Sequence, residues 1–147
     1  MSAANVRRSI VFGLSAGLAS CVVLLACNIS SRPAIPDLAT LWPTLVFVGL
    51  YSGALAIAGA FAHAVTQATS RSLVRFLVLA ASTSAGGLVL GTVASIASFS
   101  FRELSEIAFP QNVLLLALVC TSAASAALDI YMSRRACETD RATDPSR

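Results

Sequence analysis

Lysine is absent from this 147-residue chain, histidine occurs once, and charged residues of all kinds make up only 12% of it. Ordinary soluble domains carry about 25% charged residues, so too little charge is present to cover a water-facing surface. The four cysteines, Cys21, Cys27, Cys120 and Cys137, form no C-x-x-C pair, and the lone His63 is distant from all of them. That pattern gives no basis for a metal centre or a disulfide framework, and the cysteines read as small apolar residues. The glycines lie in apolar stretches, so no phosphate-cradling loop is formed. The net charge is +3, without the clustered basic stripe that a nucleic-acid surface needs. No cofactor, no metal and no nucleic acid are therefore expected.

What the chain does have is apolar length. Hydrophobic residues make up 56% of it, concentrated in four runs at about 9–29, 41–66, 73–97 and 110–132. Crossing a bilayer core roughly 30 Å thick takes about 20 helical residues. The pattern predicts an all-α, integral membrane, four-helix up-down bundle: one membrane domain over 1–133, followed by a disordered tail over 134–147. The motif Leu18-Ala-Ser-Cys21 resembles the lipobox of bacterial lipoproteins. The apolar run continues past Cys21, however, so the first segment reads as a retained span. Small multidrug transporters resemble the chain in span count, but a glutamate in their first span is their functional mark, and the first span here carries no acid.

All ten basic residues are arginine, and their placement gives orientation. Arg7, Arg8, Arg71, Arg75, Arg134, Arg135, Arg141 and Arg147 fall on one side of the spans, and only Arg32 and Arg102 on the other. The positive-inside rule then puts both termini in the cytoplasm and, for a chain with the Arg, Ala and Ser richness of a bacterial protein, predicts a multi-pass cell inner-membrane location. On the opposite side, Pro33 and Pro36 stiffen the first connection, and Trp42 and Pro43 are expected to open the second helix. The connection over 98–109 contains Ser100 and Glu103 in an S-x-x-E spacing. With Phe101, Leu104 and Ala108 on one face, it reads as a short amphipathic turn on the outer leaflet.

Lipid tails are as apolar as leucine, so spans associate largely through close packing of small residues. Gly13-x-x-x-Gly17, Gly49-x-x-x-Gly53 and Gly87-x-x-x-Gly91 supply such residues in the first three spans. In the third, Ala80, Ser84, Gly87, Gly91, Ser95 and Ser98 recur at spacings of three and four. These residues predict one smooth stripe, a central place for the third helix, and packing positions at Gly13, Gly17, Gly49, Gly53, Ser84, Gly87, Gly91 and Ser95. The stripe serves either the bundle itself or a membrane-protein partner or second copy.

Two ionisable residues fall inside the spans, His63 and Asp129, each about one turn from the cytoplasmic end. Charge at mid-membrane costs about 2.5–3.5 kcal/mol on insertion scales, so intramembrane ionisable groups seek partners. Their shared depth with Arg75, and with Arg8, predicts a polar cluster at that end. No catalytic residues are assigned, because the single histidine has no flanking acid pair. The expected role is non-enzymatic: an accessory or assembly subunit acting through helix packing. The alternatives are a small oligomeric transporter or channel with a path near Thr92, Ser95 and Thr121, and a membrane enzyme using His63 and Asp129.

Overall fold

The computed structural model describes residues 3–30, 38–67, 69, 71–99 and 111–143, with side chains over 5–30, 41–67, 69, 71–99 and 112–135. Four long helices account for nearly all of these: α1 (Ala3–Ser30), α2 (Leu38–Thr66), α3 (Ser72–Ser98) and α4 (Gln111–Thr143). No strand occurs among the described residues. Each helix is long and apolar enough to cross a membrane. Large side chains such as Leu18, Val22, Phe61, Leu73, Val93 and Leu116 face outward. An apolar exterior on four such helices points to a multi-pass membrane protein. The connection over 100–110, with its expected amphipathic turn, lies outside the described residues, as does most of the first connection.

The helices form a closed ring in which α1 packs on α2, α2 on α3, α3 on α4, and α4 back on α1. The start of α1, the end of α2, the start of α3 and the distal half of α4 meet at one end through Arg8, His63, Arg75 and Asp129. Neighbours therefore run antiparallel.

Packing is closest where a side chain is missing. A Cβ on Gly13 would collide with the Ala56 carbonyl oxygen, and one on Gly17 would lie 2.7 Å from that of Ser52. The α1 and α2 backbones thus approach as small-xxx-small helices do. On the other side of α2, a Cβ on Gly87 would strike Leu55 and one on Gly91 would strike Tyr51. The Tyr51 hydroxyl reaches the Thr92 hydroxyl at 3.1 Å. Phe47, Val48, Tyr51 and Leu55 of α2 meet Ala16 and Leu24 of α1 and Leu114 and Leu118 of α4 in the main core.

Several expectations need correction. Gly49 and Gly53 contact no other described helix, since nothing lies within 4 Å of a Cβ at either position. Around α2, Gly53 sits about 100° and Gly49 about 60° from Ser52, on the outward face with Leu45 and Ile57. The buried line on α3 is Leu79, Thr83, Gly87, Gly91 and Ser95, a strict i+4 ridge that crosses the helix axis obliquely. Ser84 lies only half in and bonds back to the Ala80 carbonyl at 2.7 Å, while Ser98 is exposed. The second helix, not the third, is the most enclosed, and the third is the least. It has small residues on two faces, Ala56 and Ala60 toward α1 and Ala58 toward α3, whereas α3 has one smooth face only. Pro43 falls inside α2 instead of opening it. The fourth helix continues to Thr143 where a disordered tail was expected from 134. No glycine or proline interrupts residues 134–143, so nothing in the backbone stops it there.

These contacts separate the two kinds of glycine. Gly17→Leu lowers stability by about 1–3 kcal/mol, the cost of overpacking a filled interface. Gly53→Leu leaves stability unchanged. Reversible unfolding in mixed detergent micelles measures both, and equal effects would contradict the assigned packing.

Candidate functional site

Asp129 organises the end of the bundle where all four helices meet. Its Oδ2 accepts from Arg75 Nη2 at 2.8 Å. Its Oδ1 lies 3.2 Å from His63 Nε2 and 3.5 Å from Arg8 Nε. The Asp129 side chain is 7% exposed and that of His63 is fully enclosed, while Arg8 is about half exposed. One carboxylate thus gathers a cation from α1, an imidazole from α2 and a cation from α3. Local sequence explains how each arrives. Arg8 and Arg75 sit near the starts of helices whose following residues are apolar, and each has a long stem that reaches inward. His63 lies on the core side of α2 because Ala62 and Leu55 share that side.

A second layer supports the imidazole. Phe12 stacks on the His63 ring with centroids 5.0 Å apart. The Ser9 hydroxyl lies 3.0 Å from His63 Nδ1 and 3.1 Å from the Asn5 carbonyl oxygen. Gln67 donates from Nε2 to both that carbonyl and Ser9 Oγ, each at 3.0 Å. The Arg8 guanidinium also donates to Ser133 Oγ, which donates to the Asp129 carbonyl oxygen at 2.7 Å.

The Ser9 proton has two acceptors and one place at a time. With His63 neutral, Nε2–H donates to Asp129 and Ser9 donates to Nδ1. In that tautomer Nε2 cannot also accept from Arg75 Nη2, 3.3 Å away, which donates to Asp129 instead. Arg75 Nε is buried and has no partner among the described residues.

The sequence proposed His63, Arg75 and Asp129 as neighbours from depth alone, and the structure brings them together. Ser9, Gln67, Asn5, Phe12 and Ser133 were not singled out. Gln67 was findable, since it lies one helical turn beyond His63 on the same face. Ser9 needed the rotation of α1 about its axis, which depth does not give.

Hydroxyl, imidazole and carboxylate stand here in the order used by nucleophilic hydrolases. Ser9 is only 4% exposed, however, and its oxygen is engaged by Gln67, so it faces neighbours and no open cleft. The span hydroxyls divide into two sets: those of Ser20, Ser52, Thr83 and Ser95 are buried with no partner among the described residues, and others are occupied. Thr121 bonds to the Ala117 and Leu118 carbonyls and Ser122 to that of Leu118, the local back-bonding usual for such residues in helices. No group of three or more metal-ligating side chains occurs among the described residues. Comparison of the chain with family models, curated proteins and solved structures finds no match.

Breaking this cluster exposes its coupling. Asp129→Asn leaves two arginines facing a neutral amide and costs about 3 kcal/mol, the low end for removing one partner of a buried pair, because half-exposed Arg8 can turn to water. Adding Arg75→Gln costs less than the sum of the two single changes. A double-mutant cycle on unfolding free energy reads this, and strict additivity would show that the two residues do not interact.

Proposed function

We propose that this chain is a non-enzymatic, multi-pass protein of a bacterial inner membrane, with both termini in the cytoplasm. It acts through helix packing, as an accessory or assembly subunit in a larger membrane complex. The observation that carries the reading is how the interior polar groups are used. The ionisable groups at the arginine-bearing end bond to one another across all four helices. In the body, Thr92 is bonded to Tyr51, and Thr121 and Ser122 to their own helix. A solute path needs polar groups turned toward a lumen, whereas these bond within or between the helices; the hydroxyls of Ser20, Ser52, Thr83 and Ser95 are buried and have no partner among the described residues.

The arginines support the orientation. Arg7, Arg8, Arg71, Arg75, Arg134 and Arg135 all lie at the end that holds the Asp129 cluster, as positive-inside placement requires. The amphipathic turn on the opposite side belongs to the same reading, and it would anchor the far end of α3 in the outer leaflet. The outward glycines Gly49 and Gly53 give α2 a smooth lipid-facing strip suited to another protein's helix.

Two experiments test this. Affinity purification from native membranes in mild detergent is expected to recover a second membrane protein in fixed ratio. Recovery of the chain alone, together with solute flux in reconstituted vesicles, would replace the proposal with a transporter. For orientation, a variant retaining only Cys137 is expected to react with a membrane-impermeant maleimide in inverted vesicles and not in intact spheroplasts. The reverse pattern would place the termini outside.

A further inference from the structure

A groove of about 450 Å³ opens between α3 and α4 at the arginine-bearing end, within the range of about 300–1,000 Å³ typical of small-molecule sites. Leu73, Phe76, Ile130 and Tyr131 wall it around Ala127, and Ser72 and Arg134 stand at its mouth. Arg134 Nη2 donates to Ser72 Oγ at 3.0 Å, bridging the two helices. A guanidinium has five N–H donors, and this bond takes one of them. Arg135 sits over the Tyr131 ring at 5.2 Å from its centroid, and Arg71 is exposed one residue from Ser72. Positive charge is thus gathered at the top of an apolar slot.

We propose that this groove binds one anionic phospholipid, with an acyl chain along the Ala127 floor and the phosphate held by Arg134 and Ser72. The inference rests on the membrane reading above. From Ala127 to Arg134 the lined stretch of α4 rises about 10 Å, so the chain lies in the hydrocarbon while the donors reach headgroup level. Basic pockets between spans on the cytoplasmic side recognise anionic headgroups in this way. A free phosphate would have no use for the apolar floor. A second copy inserted in the same direction would bring its own arginines to the same depth and be repelled.

The bundle contains its own comparison. A groove of about 320 Å³ between α2 and α3, lined by Ile57, Phe61, Val78, Ser82 and Leu90 among others, has no charged residue in its wall. It can take a chain but offers no cation to a phosphate. Arg75, the other cation at the start of α3, is committed to Asp129 and leaves headgroup selection to Arg134.

Native mass spectrometry of the full chain, released from detergent with equal amounts of dioleoyl-phosphatidylglycerol and dioleoyl-phosphatidylcholine, tests the site. The wild type is expected to retain one phosphatidylglycerol in preference to phosphatidylcholine. R134Q, a change at an exposed position, should weaken that retention about fivefold, the effect of one arginine at an anionic surface. A127F fills the floor and should abolish it, while S82F in the other groove should leave it unchanged. Equal retention of the two lipids by the wild type would overturn the site, as would undiminished phosphatidylglycerol binding in both R134Q and A127F. Folded protein recovered without detergent would instead remove the membrane reading, and the site with it.

Discussion

A carboxylate carried into a helix bundle must find cations or give up its charge, and the arrangement around Asp129 follows from that requirement. Its two oxygens face groups from the other three helices: Arg8, His63 and Arg75. Satisfying the carboxylate fixes the depth of each helix relative to the others, because a one-turn slip, about 5.4 Å, would carry any partner out of range. Apolar contacts between leucine-like surfaces in lipid set no such register. Asp129 therefore acts as the gauge mark for the bundle, and the supporting layer of Ser9, Gln67 and Phe12 keeps the imidazole turned toward it.

Along the rest of the bundle the same problem, association without a solvent-driven force, is solved by removing atoms. Gly13 and Gly17 let the α1 backbone approach the carbonyls of Ala56 and Ser52, while Gly87 and Gly91 admit Leu55 and Tyr51. Both sets of contacts converge on α2, which explains why that helix is the most enclosed. Dispersion gains from many close atom pairs then replace the hydrophobic effect that would drive a water-soluble bundle together.

Much of this was legible in the sequence, and the remainder fails for one geometric reason. Hydropathy gives where each apolar span lies, hence the approximate depth of every side chain within it. Depth is enough to put His63, Arg75 and Asp129 in one layer. It says nothing of how each helix is turned about its axis. That angle separates inward Gly87 from outward Gly53, both parts of equally good G-x-x-x-G motifs, and it is what brings Ser9 to the imidazole. The α3 ridge shows the same limit. A run with mean spacing near 3.6 was expected through Ala80 and Ser84, whereas helices that cross obliquely bury an i+4 row, here through Leu79 and Thr83. Where the fourth helix stops was also illegible, because polarity ends a span without ending a helix.

That last point has a mechanical side. From Asp129 to Thr143 the helix is unbroken, a rod of about 21 Å whose inner end carries the carboxylate and whose outer end extends past the apolar segment. A helical rod transmits torsion. Rotation imposed on its outer turns would be resisted where Asp129 bonds to Arg75 and His63 and Arg134 bonds to Ser72, so the C-terminal segment is moored to its neighbours through its inner turns.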